Sequence, residues 1–233
     1  MSEWLIAHEG TQTGLYLSMA LALTAAVLHA IFGALQKGRH DPWLSRAGID
    51  VFAFLMALPA ALFLVPWPEP HLWPIFGGVF VIHVAYKILQ AMTYTRGAYT
   101  VVYPVVRGTG PLFTVFGAWL IFGETFNLWQ WLGVAVLLGG IYGLALYNLR
   151  KITTGRERLV PALGFAVATG AMVAVYTTFD AYGIRATADP FTFLAWFFVI
   201  DSLFMPLVSA RRMIALPRAE RASLLRRGFV GAL

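Results

Sequence analysis

Of the 233 residues, 59% are hydrophobic and 12% charged, and the mean hydropathy is +0.72, against about 25% charged residues in a soluble globular domain; a water-soluble fold is excluded. With no cysteine, disulfide frameworks and Cys-ligated metal or iron–sulfur sites are excluded too. The 17 Lys and Arg against 11 acids suit a nucleic-acid partner by count alone. They lie in the breaks between apolar segments, however, which is membrane topology, so no nucleic-acid partner is expected.

In chain order, Met1 to Gly14 carries Glu3 and Glu9 and no Lys or Arg, so it lacks the basic start of a cleavable signal. Residues 1–13 read as an N-terminal segment before a retained first span. Seven apolar segments of bilayer-crossing length follow, at 14–35, 48–66, 73–94, 98–122, 128–148, 159–182 and 190–209, and an eighth begins near Gly228. Each is too uniformly apolar for a barrel strand. The breaks are short and carry turn residues such as Pro66, Pro68, Pro70 and Gly155, which makes neighbouring helices antiparallel. The predicted fold class is all-α, a polytopic transmembrane helical bundle. Trp43, Trp73, Trp129 and Trp131 fall at span ends, as interface anchors do. Gly139 and Gly143 form a small-xxx-small pattern, read first as packing inside the bundle rather than as a dimer contact.

Orientation follows from the breaks. Lys37, Arg39 and Arg46 follow span one, Arg96 follows span three, and Arg150, Lys151, Arg156 and Arg158 follow span five, in a basic loop at 149–158. Arg211, Arg212, Arg218, Arg221, Arg226 and Arg227 follow span seven, whereas the other breaks hold only Arg185. Short loops rich in Lys and Arg stay cytoplasmic, so the amino terminus is expected outside and the odd-numbered breaks inside.

An internal repeat is present. His29-Ala-Ile-Phe32-Gly-Ala34, Asp41-Pro42 and Pro59 recur as Tyr176-Thr-Thr-Phe179-Asp-Ala181, Asp189-Pro190 and Pro206, at an offset of about 147 residues. That offset contains five spans, an odd number, so the copies lie in opposite orientations. This is the inverted-topology arrangement used for alternating access around a midplane site.

Ala98-Tyr99 through Tyr103-Pro104, Gly110-Pro111-Leu112, Phe122-Gly123-Glu124, Gln130, Gly133 and Gly139-Gly140 together resemble the closing helices of an EamA repeat of the drug/metabolite transporter superfamily. Leu28-His29-Ala30 to Lys37 and Tyr176 to Arg185 are similar to the openings of the two repeats in one bacterial branch. The resemblance implies two five-helix repeats, here a first at 14–148 and a partial second at 159–233. It also implies an inner-membrane transporter of a small metabolite, with no cofactor and no ATP site. No Walker A glycine loop is present. Members commonly have ten spans and both termini in the cytoplasm, from which the charge count departs. At the 147-residue offset the counterparts of spans three to five would occupy roughly 220 to 295, so the second repeat reads as incomplete. A truncated frame, a homodimer or a completing subunit would each account for it.

A charge at the bilayer centre costs at least about 2.5 kcal/mol unless it faces a cavity or a partner. Asp50, His83, Lys87, Arg107 and Asp201 lie inside spans, with His29 and Asp180 nearer span ends. His83 and Lys87, Tyr103 and Arg107, and Tyr176 and Asp180 each stand four apart on one helix face. The expected substrate-binding set is Lys87, Arg107, Tyr103, His83, Asp201 and Tyr176. The two cations favour an anionic small-molecule substrate. Asp201, Asp50 and His83 are the candidate proton carriers. In the alternative, purely structural reading, Asp50 and Lys87 snorkel to the interface and Asp201 pairs with Arg107. His29 and His83 lack a second ligand at metal spacing, and a helix-to-helix hydrogen bond suits each better. Pro104, Gly108, Gly110 and Pro111 are expected to break or kink span four around Arg107.

Other classes are weaker. An intramembrane enzyme would need a nucleophile with its base or paired catalytic carboxylates, and no such motif is present. A retinal protein needs its Lys on span seven, which has none. A non-transporting assembly subunit would differ by showing no ligand-dependent stabilisation.

Overall fold

The computed structural model describes residues 4, 7, 8, 10–36, 41–123, 125–151 and 156–232. Among them the chain is helical, with no strand. The order is α1 (Gln12–Gln36), α2 (Pro42–Phe63), α3 (Leu72–Arg96), α4 (Tyr99–Phe122), α5 (Leu128–Lys151), α6 (Arg156–Arg185), α7 (Pro190–Asp201), α8 (Phe204–Ala215) and α9 (Arg218–Ala232). Lys37, Arg39, Glu124, Gly155 and the side chains of His29, Arg156 and Arg158 lie outside the described residues. Among the described residues, five stretches are long and apolar enough to cross a membrane: α2, α3, α5, Leu159–Arg185 of α6, and Pro190–Ala215, which is α7 and α8 taken together. α1 contributes a shorter apolar stretch, Gln12–Leu28. α4 carries Arg107, three glycines and two prolines. The chain forms two compact units, residues 1–73 with 184–233, and residues 74–183.

In the first unit α7, α8 and α9 pack on α2. α2 and α7 start by the same local device. Asp41 accepts the Trp43 N–H at 2.7 Å and Asp189 accepts that of Phe191 at 3.4 Å, each followed by proline at the first helical position. Such a cap contributes about 1 kcal/mol, and proline there removes only an N–H that has no helical partner. This cap starts α2 at Pro42 rather than at 48, which moves Arg46 from the expected loop into the helix. Span seven is likewise corrected: it is two helices, interrupted at Ser202 and Leu203. Pro206 lacks the N–H that would bond the Ser202 carbonyl, and its ring excludes that carbonyl. The expected break in span four is absent, since α4 runs unbroken through Pro104 and Pro111. The helix at the carboxy-terminal end begins at Arg218, ten residues before Gly228. Gly228 itself sits where a Cβ would strike the Gly48 backbone of α2, so these two helices meet nearly backbone to backbone.

The second unit is α3 from Pro74, α4, α5 and α6 to Gly183. α3 and α6 run antiparallel, since Thr93 meets Thr169 (Oγ1 to Oγ1, 3.0 Å) while His83 meets Asp180. A core of Val102, Val105, Val106, Ala145, Ala162 and Ala166 joins α4, α5 and α6. A Cβ at Gly108 would collide with Ile141 of α5, and one at Gly170 with Thr109 of α4; glycine here admits a neighbour. Gly139 and Gly143 do the opposite of what was expected. Among the described residues, nothing beyond the local helix backbone and chain neighbours lies within 4 Å of a Cβ placed at either, so they do not pack inside the described bundle. α5 turns most of its length outward, with Trp129, Val136 and Tyr147 exposed.

Candidate functional site

Within the second unit, His83, Tyr86, Lys87, Gln90 and Tyr94 of α3 stand at positions i, i+3, i+4, i+7 and i+11, which keeps them on one side of the helix. From His83 to Tyr94 this stripe rises about 16 Å, half a bilayer core. At one end His83 Nε2 lies 3.0 Å from Asp180 Oδ2 and 3.3 Å from Oδ1. Because an ionised carboxylate only accepts, the imidazole N–H donates. Tyr176, one turn before Asp180 on α6, touches both the His83 and Tyr86 rings, each at a centroid distance of 4.8 Å. Gln90 Nε2 donates to the Tyr86 hydroxyl at 2.7 Å. Lys87 is buried, at 1% exposure.

At the other end the stripe passes into a ladder of flat groups. Tyr94 packs on Tyr99 (5.1 Å), and Tyr99 stacks on Tyr103 (4.8 Å, 20° between planes). The Arg107 guanidinium lies 5.3 Å from the Tyr103 ring centroid. Tyr99, Tyr103 and Arg107 are spaced by four, so α4 itself stacks them. A guanidinium carries its N–H donors in its plane, a fork that suits a carboxylate with two parallel bonds.

Of the six expected binding residues, the second unit thus holds His83 and Tyr176 in contact, Tyr103 and Arg107 in contact, and Lys87 one turn from His83. Asp201 belongs to the first unit. It closes α7 at the interruption, where Arg46 Nη2 reaches its Oδ2 at 3.5 Å while Arg46 Nε bonds Asp50 Oδ1 at 2.9 Å. Both carboxylates are almost fully buried. Arg46 offsets the unfavourable placement of a carboxylate at a helix carboxy-terminus. Beside Asp201, Ser202 is buried and its hydroxyl has no hydrogen-bond partner among the described residues. Arg46, Tyr86 and Gln90 were missed as site residues. Gln90 continues the polar spacing of His83 and Lys87, a signal the sequence carries, whereas the apolar run alone leaves Arg46 in a loop and only the Asp41-Pro42 cap brings it into α2. No group of three His, Asp or Glu that could hold a metal occurs among the described residues.

Long apolar helices, broken once and bearing buried ionisable side chains, define an integral membrane protein of the multi-span helical class. Its residues 16–146 match the EamA-like transporter family, and the chain belongs to that family, part of the drug/metabolite transporter superfamily. It is also 35% identical over 77 residues to an uncharacterized protein, y4nH, of Sinorhizobium fredii (strain NBRC 101917 / NGR234). That stretch is 33% of this chain and 66% of the relative's length.

Proposed function

We propose that this protein carries a small organic anion across the inner membrane by alternating access between inverted repeats, binding it along the polar stripe of α3, α4 and α6. The observation that carries the reading is the placement of Lys87 and Arg107, with His83, Tyr176 and Tyr103, on helices otherwise built of apolar residues. Ionisable groups at such depth are costly unless they serve a solute path or one another. Membership of the transporter family supports the transport class. The shared Asp-Pro starts of α2 and α7, and their antiparallel packing, support the inverted repeat.

The test is thermal unfolding of the detergent-purified protein against matched panels of small carboxylates, phosphate esters and amines. A ligand bound only by the folded state at a hundred times its Kd adds about 2.7 kcal/mol. An acid is expected to raise the unfolding temperature of the wild type but not of Arg107→Gln, whose unliganded melt is unchanged. A shift by amines alone overturns the anion reading. Collapse of Arg107→Gln without ligand assigns Arg107 to structure.

A further inference from the structure

The first unit carries two polar contacts that the internal repeat relates to each other. At one end of α2, the turn that follows it is tied to the turn that precedes α7. Glu69 accepts the Ala188 N–H at 3.0 Å (Oε1) and the Thr187 hydroxyl at 3.3 Å (Oε2). The His71 ring nitrogen Nε2 bonds the Ala186 carbonyl at 2.8 Å, and the Thr192 hydroxyl, which donates to Asp189 Oδ2 at 2.9 Å, lies 3.5 Å from the Pro66 carbonyl. Trp67 and Trp73 close over Trp196 beside these bonds, at centroid distances of 4.7 and 5.4 Å. At the other end, the turn that precedes α2 is tied to the last turn of α8, where Arg212 Nη2 lies 2.6 Å from Asp41 Oδ2.

Exchanging the two copies of the repeat turns "after α2, before α7" into "after α8, before α2". The two contacts are therefore counterparts, although one is a carboxylate on backbone and hydroxyl donors and the other an ion pair. The 22 residues of α2 between them rise about 33 Å, a bilayer core, which puts the contacts on opposite membrane faces. About one turn into α2 from the second contact, Arg46 pins α2 to Asp201.

We propose that these counterpart clasps lock α2 to α7 and α8 at both membrane faces, so that the three helices travel through the transport cycle as one rigid body and never part along their own seam. The inference rests on the inverted-repeat reading above. It confines the solute path to surfaces other than that seam. A bundle that opened between α2 and α7 would have to release Glu69 on one face and Asp41 on the other in turn, whereas both clasps are closed at once.

Because the sequence has no cysteine, introduced thiols are the sole ones. Nitroxides at Pro70→Cys with Ala188→Cys, and at Ser45→Cys with Arg211→Cys, report the two ends of the full chain in phosphatidylethanolamine and phosphatidylglycerol nanodiscs. Each pair should give one narrow distance distribution. Glu69→Ala should broaden the first pair alone, and Arg212→Ala the second alone. Two separated populations at either pair without these substitutions, or a first pair indifferent to Glu69→Ala, overturns the locked seam. An impermeant thiol reagent on intact cells tests the underlying reading separately, because single cysteines at Pro70 and Arg211 should differ in reactivity, with Pro70 reacting. Equal reactivity removes the opposite-face relation whatever the nitroxides report.

Discussion

A carboxylate inside an apolar helix must find a donor, and Asp180 and Asp201 find theirs on other helices, in His83 and Arg46. The His83–Asp180 bond links the middle of α3 to the last turns of α6, where its strength shows as non-additivity. In a cycle of His83→Gln, Asp180→Asn and the double variant, a coupling of about 0.6 to 1.7 kcal/mol is expected from detergent unfolding, the range found for interhelical hydrogen bonds in membranes; strict additivity would show that the contact contributes nothing. Glu69 behaves differently because it lies outside the spans. The Ala188 N–H foremost, with its own backbone, the Thr187 hydroxyl and the nearby His71, holds its carboxyl below the ordinary value of 4.5. A carboxyl whose folded value is depressed contributes stability that is complete above the unfolded value and lost as pH falls through the folded one. Acid titration of the wild type should therefore lose stability below pH 4.5 that Glu69→Gln never had, and identical acid limbs for both proteins would contradict the assignment.

At the scale of the elements, small residues set the closest approaches. Gly228→Val places a branched side chain against the Gly48 backbone, with nothing flexible to yield, and is expected to destabilise by about 1–3 kcal/mol. Gly139→Val, with open space around it, should leave the melt nearly unchanged, and equal effects of the two would contradict the packing described. Helix existence was legible in the sequence from runs of apolar residues, which are local, whereas the Asp41-Pro42 cap starts α2 ahead of its apolar run. The interruption before Pro206 was not legible. Pro59 and Pro206 look alike in sequence, yet α2 runs through the one and the chain breaks before the other. Facing was the hardest to read. Gly108 and Gly139 carry the same local signal, but Ile141 covers the first and only the packed bundle reveals that. The spacing of His83, Lys87, Tyr103, Arg107 and Tyr176 was sequence-visible, whereas Arg46 as the partner of two acids depends on where α2 begins and what packs beside it.

At the scale of the whole molecule there are two compact units. One is α2 with α7, α8 and α9, clasped at both ends of α2; the other bears the stripe from His83 to Arg107 on α3, α4 and α6. The chain belongs to the EamA-like transporter family, and the stripe supplies the proposed solute contacts. The most direct test is flux. The acid that raises the unfolding temperature most, carried as a radiolabel, should enter liposomes containing the wild-type protein by counterflow, saturably. Arg107→Gln, folded and inserted equally, should reduce entry to that of empty liposomes. Binding without flux in the wild type, or flux indifferent to Arg107→Gln, would contradict the account.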